Sequence, residues 1–93
     1  MKPVNVMYTY ITPFDTTEEV LQAAKNVSYE AEFIRCQDTL EAWRMNWDEL
    51  MNIVRAALYS GEYEGQQKDD LARAHGMLNH AIDIKVPRAM DKF

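Results

Sequence analysis

The chain has 93 residues, with 15 acidic against 10 basic side chains and a formal net charge of −5. This excess of negative charge disfavours a nucleic-acid binder that is held by contacts to phosphates. Hydrophobic residues make up 47% of the chain and charged residues 27%. That balance is typical of one small folded domain over residues 1–93 and excludes a chain that is disordered throughout.

The cysteine content and the lack of long apolar stretches indicate where the protein resides. Cys36 is the single cysteine and cannot form an internal disulfide, so a reducing compartment and a cytoplasmic location are expected. Residues 1–6 carry one cation and are followed by no long apolar run. Neither a signal peptide nor a membrane span is therefore expected, and no membrane partner.

The first predicted element is an extended arm or strand over residues 1–13. Tyr8 and Tyr10 share one side of this arm with two valines, as alternation along an extended chain requires. Pro13 ends the arm because a proline restricts the residue before it. A lone strand leaves unpaired N–H and C=O groups that can pair with another chain. The arm therefore indicates assembly, and Tyr8, Tyr10 and Phe14 are its predicted partner contacts.

The first helix is predicted over residues 16–36. Thr16 and Glu19 have the spacing of a capping box at its start. Apolar residues then recur at steps of 4 and 3, as on one helix face: Val20, Ala24, Val27, Ala31 and Ile34. Residues 27–34 also alternate between apolar and polar, as in a half-buried strand. The alternative fold is thus α+β, a strand-helix-strand unit followed by a helical hairpin.

Two further helices are predicted over residues 39–59 and 67–85, followed by a tail over 86–93. Each carries an apolar stripe, namely Leu40, Trp43, Trp47, Leu50, Val54 and Ala57 in one helix, and Leu71, Ala74, Leu78 and Ala81 in the other. The short loop that contains Gly61 and Gly65 favours an antiparallel pair. The preferred fold is therefore mainly α, an arm followed by three helices with a C-terminal hairpin.

The residue pattern indicates no enzyme, no metal site and no cofactor. His75 and His80 are five residues apart and so point to different sides of a helix. Cys36 has no neighbouring histidine or cationic cluster, which is typical of a packed thiol. Consecutive carboxylates such as Asp69 and Asp70 diverge on a helix and are expected to be solvated. The sequence contains no nucleotide-binding or nucleophile motif.

The segment from Leu71 to Met77, followed by Ile82, resembles the spacing of a helix-turn-helix with Gly76 at its turn. Glycine in a helix interior costs about 1 kcal/mol relative to alanine, which a turn would explain. The resemblance implies a DNA-binding regulator that uses residues 71–85, although that segment has almost no cations for phosphates. The other explanation for the glycine is a close approach of a neighbouring helix.

The predicted function is that of a non-enzymatic protein-binding module, an inhibitor or adaptor of another macromolecule that acts as a homo-oligomer. Mobile elements encode compact acidic accessory proteins of this kind. Apolar and aromatic groups exceed what so small a domain can bury, so Trp43 and Trp47 are predicted partner contacts after those of the arm. A further alternative is a nucleic-acid mimic, because 6 acidic residues outnumber 3 basic ones from Asp48 to Arg73.

Overall fold

The computed structural model describes residues 10–85, which form three α-helices and no strand. The helices are α1 (Thr17–Glu30), α2 (Gln37–Ser60) and α3 (Gln66–His80). A 3₁₀ turn (Ala31–Phe33) extends α1, and a π-helical turn (Ala81–Lys85) extends α3. The mainly α fold is confirmed for this part of the chain. Within it, no helix is long and apolar enough to cross a membrane.

The predicted extended arm is corrected at the end that the structure describes. Tyr8, with the rest of the first nine residues and the tail over 86–93, lies outside the described residues. Tyr10 and Ile11 are helical rather than extended, and Ile11 is buried in the core. The Phe14 N–H then donates to the Ile11 carbonyl oxygen at 2.7 Å, which closes a turn. Burial of the Ile11 side chain favours a chain that folds onto the helices over one that projects from them.

The capping box predicted at the start of α1 is confirmed. The Glu19 N–H donates to Thr16 Oγ1 at 3.2 Å, which satisfies one of the free amides of the first turn. The Glu19 carboxylate in turn accepts the N–H of Asp15 at 3.0 Å, one residue further back than in the standard motif. Two polar contacts therefore fix the start of the helix.

Residues 27–34 are helical as far as Phe33, so the α+β alternative is wrong for this segment. The helix does not reach Cys36, however, because Ile34 has extended backbone with φ −70° and ψ 127°. That change of direction places the Ile34 side chain in the core. The helix therefore ends at a buried isoleucine, in a stretch that contains no glycine or proline.

The bounds of α2 and α3 differ from the predicted ones by two residues at most, apart from the π-helical end of α3. α2 begins at Gln37 instead of Thr39. It ends at Gly61, whose φ of +76° lies in the left-handed region that glycine adopts without steric cost. α3 begins after Gly65, which also has a positive φ, of +61°.

The hydrophobic core lies where the apolar stripes of the three helices meet. Every residue of the predicted stripes is buried, and Ile11, Met51 and Tyr63 join them. α1 packs most extensively against α3 and least against α2. Among the described helices, α1 and α2 therefore share the smallest contact.

Two tryptophans tie α2 to its neighbours. Trp43 Nε1 donates to the Val27 carbonyl oxygen of α1 at 2.7 Å, and Trp47 Nε1 donates to the Leu78 carbonyl oxygen of α3 at 2.8 Å. Both carbonyls belong to the last turn of their helix, and each also accepts a backbone N–H, that of Ala31 for Val27 and that of Ala81 for Leu78. Each indole therefore adds a second donor to a carbonyl at the end of the neighbouring helix.

One buried polar contact joins α1 to α3. The Thr17 hydroxyl donates to Asp70 Oδ2 at 3.1 Å, and Gln66 Nε2 donates to Asp70 Oδ1 at 2.9 Å. Asp70 is only 3% exposed, so the prediction that this carboxylate is solvated is wrong. It lies four residues before Ala74, on the face of α3 that packs against α1, and its two donors make that burial tolerable.

The turn that the helix-turn-helix alternative requires at Gly76 is absent, because α3 continues through this residue. A close helix approach is absent as well: a Cβ built on Gly76 meets no neighbouring atom within 4 Å. The helix-turn-helix resemblance thus lacks its geometric basis, and the glycine has no packing role.

Replacing Gly76 with alanine is expected to raise the free energy of unfolding by about 1 kcal/mol, because alanine loses less backbone entropy in a helix interior. Urea denaturation followed by circular dichroism measures the change. Gly61→Ala is the matched control and should lower stability by about 1 kcal/mol, since alanine is strained at a positive φ. A neutral or destabilising Gly76→Ala would contradict a continuous α3.

Candidate functional site

An apolar groove runs between α1 and α2 and consists of two cavities that meet at Asn46. The first has a volume of about 210 Å³ and is lined by Pro13, Phe14, Ala23, Val27, Asn46, Glu49, Leu50 and Ile53. The second has a volume of about 320 Å³ and is lined by Glu30, Phe33, Ile34, Thr39, Ala42, Trp43 and Asn46. We call the two cavities together the α1/α2 groove.

One face of α2 forms a wall of the groove, through Thr39, Ala42, Asn46, Glu49 and Ile53. These residues recur at steps of 3 and 4 and lie beside the buried stripe of the same helix. Ala42 and Thr39 are short, which leaves room above the backbone. From the first to the last of them α2 rises about 21 Å, or about four helical turns.

Aromatic side chains mark the two ends of the groove. Phe33, which is 54% exposed, stands at one end and packs edge-to-face against Tyr29, with ring centroids 4.9 Å apart. Half-buried Phe14 stands at the other end, next to Pro13 and Ile53. Exposed rings beside an apolar depression are typical of a surface that binds another molecule.

The groove carries negative charge. Glu30 and Glu49 are its only charged lining residues within the described part of the chain, and no lysine or arginine lines it. Neither carboxylate forms a hydrogen bond or ion pair with another described residue. Both are exposed, so they remain available to a cationic group that enters the groove.

The partner contacts predicted from the sequence have different positions in the structure. Phe14 lines the groove, whereas Tyr10 is half-buried against the core and Tyr8 lies outside the described residues. Trp43 and Trp47 are 4% and 8% exposed, so the structure assigns both primarily to the core. Of the two, Trp43 also lines the groove.

Among the described residues, the large apolar side chains that are exposed are not the predicted partner contacts. Tyr29, Phe33, Met45 and Tyr59 are the large exposed ones within the described residues. The first two fall in the stretch whose period fits both helix and strand. Once the helical period is chosen, their spacing of four residues is the signal that would place their rings side by side.

Cys36 is exposed, which corrects the prediction of a packed thiol. Its Sγ lies 3.1 Å from Thr39 Oγ1, and this side-chain hydrogen bond lowers the pKa of the thiol from its usual value. His75 lies near Asn79 instead of a second metal ligand, with Nδ1 3.3 Å from the amide nitrogen. Over residues 10–85, no three or more acidic, histidine or cysteine side chains could together hold a metal ion.

The acidic stretch from Asp48 to Asp70 presents less free charge than its sequence suggests. Asp48 pairs with Arg44 at 3.5 Å and Asp69 pairs with Arg73 at 3.2 Å, both at the spacing of four residues that brings helical side chains together. Asp70 is buried. Three of the six carboxylates of the supposed nucleic-acid mimic are therefore neutralised or enclosed.

Comparisons with known proteins identify no family for the chain. No family model matches the chain, and no curated protein or solved structure is significantly similar to it.

Proposed function

We propose that the chain is a non-enzymatic protein-binding module that holds a segment of another macromolecule in the α1/α2 groove, as an inhibitor or adaptor. The groove itself is the observation that carries the proposal. It combines a mostly apolar lining, short side chains that leave space, and an exposed aromatic pair at one end. Grooves of this kind between helices bind the apolar face of a peptide segment.

The shape of the groove favours a peptide over a small molecule. Sites for small molecules are enclosed and place a few polar groups around one point. Here two open cavities follow one another along α2, and their polar residues Thr39, Asn46 and Glu49 are spread over its length. An extended shape with dispersed polar groups suits a polymer.

The proposal also includes an antiparallel pairing of α2 and α3, a cytoplasmic location and a homo-oligomeric state. The antiparallel pairing of α2 and α3 is supported by the Trp47–Leu78 hydrogen bond, whose residues lie at similar distances along the chain from the connecting loop. A cytoplasmic location is supported by the exposed free thiol of Cys36.

Homo-oligomer formation is tested by sedimentation of the intact chain beside residues 10–93. That truncation retains the buried Ile11, and a larger species is expected for the intact chain alone.

The binding function is tested by selecting peptides of about 14 residues from a displayed random library on the intact chain. A selected peptide is then titrated against Phe33→Ala, which removes an exposed ring of the groove. We expect its affinity to fall at least about tenfold, as for an aromatic side chain that carries much of the binding energy of an interface.

Tyr59→Ala is the matched control, because Tyr59 is 79% exposed and does not line the groove. It should change the affinity by less than about twofold. A selection that returns no peptide dependent on Phe33, or peptides that depend equally on Tyr59, would overturn the proposal.

A further inference from the structure

The α1/α2 groove has a definite length and a definite charge, and together these limit what fits it. Its wall on α2 extends from Thr39 to Ile53, about four helical turns. Its two charged lining residues, Glu30 and Glu49, are both acidic. An occupant therefore needs an apolar stripe as long as the groove and cations that pair with its carboxylates.

We propose that the natural occupant of the groove is a basic amphipathic helix of about four turns, supplied by a different protein; this inference rests on the proposed binding function. A helix of that length presents one apolar residue per turn on a single face. Its stripe covers the distance between Phe14 and Phe33, the aromatic residues at the two ends of the groove.

Charge complementarity argues for cations beside the apolar stripe. Glu30 lines one cavity and Glu49 the other, so the two carboxylates lie along the groove instead of at one point. Arginine suits such positions, because its stem packs on apolar surface while its planar guanidinium pairs with a carboxylate. Cations on both sides of Asn46 are therefore expected in the occupant.

Negative charge also disfavours a second copy of this chain as the occupant. Each copy has a formal net charge of −5. Two copies that met at an acidic groove would bring like charges together, and that repulsion opposes association. The negative charge of the groove repels a second copy but attracts a segment of a basic protein.

The test uses three synthetic helical peptides that share one apolar stripe and differ only in the flanking positions, which hold arginine, glutamine or glutamate. Calorimetric titration of the intact chain at about 50 mM salt should give the tightest binding for the arginine peptide, about fivefold tighter than for the glutamine peptide. The glutamate peptide should bind weakest. At about 500 mM salt the arginine advantage should largely disappear, because screening weakens exposed charge pairs.

A double variant locates the charge effect. Glu30→Gln with Glu49→Gln should remove the arginine advantage, so that the arginine and glutamine peptides bind this variant with similar affinity. Glu41→Gln with Glu64→Gln makes the same change of net charge at exposed residues that do not line the groove. This control should keep most of the advantage.

The outcomes separate this inference from the proposed function. If the glutamine peptide binds as tightly as the arginine peptide and both depend on Phe33, the groove binds proteins but the basic occupant is wrong. If no peptide binds in a Phe33-dependent manner while library selection succeeds, the occupant is not a helix of this kind. If Phe33→Ala dissociates a dimer of the intact chain, or removal of the first nine residues is needed for binding, the occupant is a second copy or the chain's own segment. Each of these results overturns the inference.

Discussion

Trp47→Ala is expected to lower the free energy of unfolding by about 3–5 kcal/mol, the largest effect of any single change considered for this chain. The indole is 8% exposed and lies between α2 and α3, where its N–H bonds to the Leu78 carbonyl oxygen at 2.8 Å. Replacement with alanine removes the apolar contacts of the indole, leaves a cavity and removes the N–H donor. Urea denaturation followed by far-ultraviolet circular dichroism measures the loss without depending on tryptophan fluorescence.

Two further variants keep this prediction testable if Trp47→Ala does not fold. Trp47→Phe retains an aromatic ring but not the N–H, and should cost about 1–2 kcal/mol. Met45→Ala, on the exposed side of the same helix, should change stability by less than about 0.5 kcal/mol. Equal effects of Trp47→Ala and Met45→Ala would contradict the placement of Trp47 in the core.

The prediction of Trp43 and Trp47 as partner contacts rested on the excess of apolar groups. The apolar period of α2, by contrast, predicts a stripe that contains both residues, and both are buried. It could not predict their hydrogen-bond partners, because Val27 and Leu78 are 16 and 31 residues away along the chain. Periodicity reports which face of a helix avoids water. Which carbonyl lies opposite that face depends on how the helices are arranged, and one helix contains no information about that.

The groove was beyond sequence analysis for a similar reason. The apolar character of Phe33 and Ile53 can be read from the sequence, yet the groove that they line depends on how α1 and α2 are placed against each other, which periodicity does not report. The predicted arm shows an error of a different kind. Alternation predicts an extended backbone at Ile11, but burial of its side chain in the core overrides this local pattern.

Asp69 and Asp70 show the same limit within two neighbouring residues. As a pair of consecutive carboxylates they were expected to be equally solvated. Asp69 is exposed and pairs with Arg73 four residues later, as its spacing predicts. Asp70 accepts from Thr17, which lies 53 residues earlier in the chain, and no local rule identifies such a partner.

Asp70→Ala is accordingly expected to lower the free energy of unfolding by about 2–3 kcal/mol. The change removes the acceptor of two hydrogen bonds and leaves the Thr17 hydroxyl buried without it, which carries the full cost of desolvation. It also disconnects the first residue of α1 from α3, the helix against which α1 packs most extensively. The midpoint of urea denaturation should fall in proportion.

Asp69→Ala provides the control at the adjacent position, since its ion pair is more than half exposed on both sides and should contribute less than about 1 kcal/mol. Replacing both buried partners, as Thr17→Val with Asp70→Leu, should cost less than the sum of the two single changes, because no buried donor is then left unsatisfied. Equal losses for Asp69→Ala and Asp70→Ala, or additive losses in the double variant, would mean that Thr17 and Asp70 do not form a buried contact. The α1–α3 pairing would then depend on apolar packing alone.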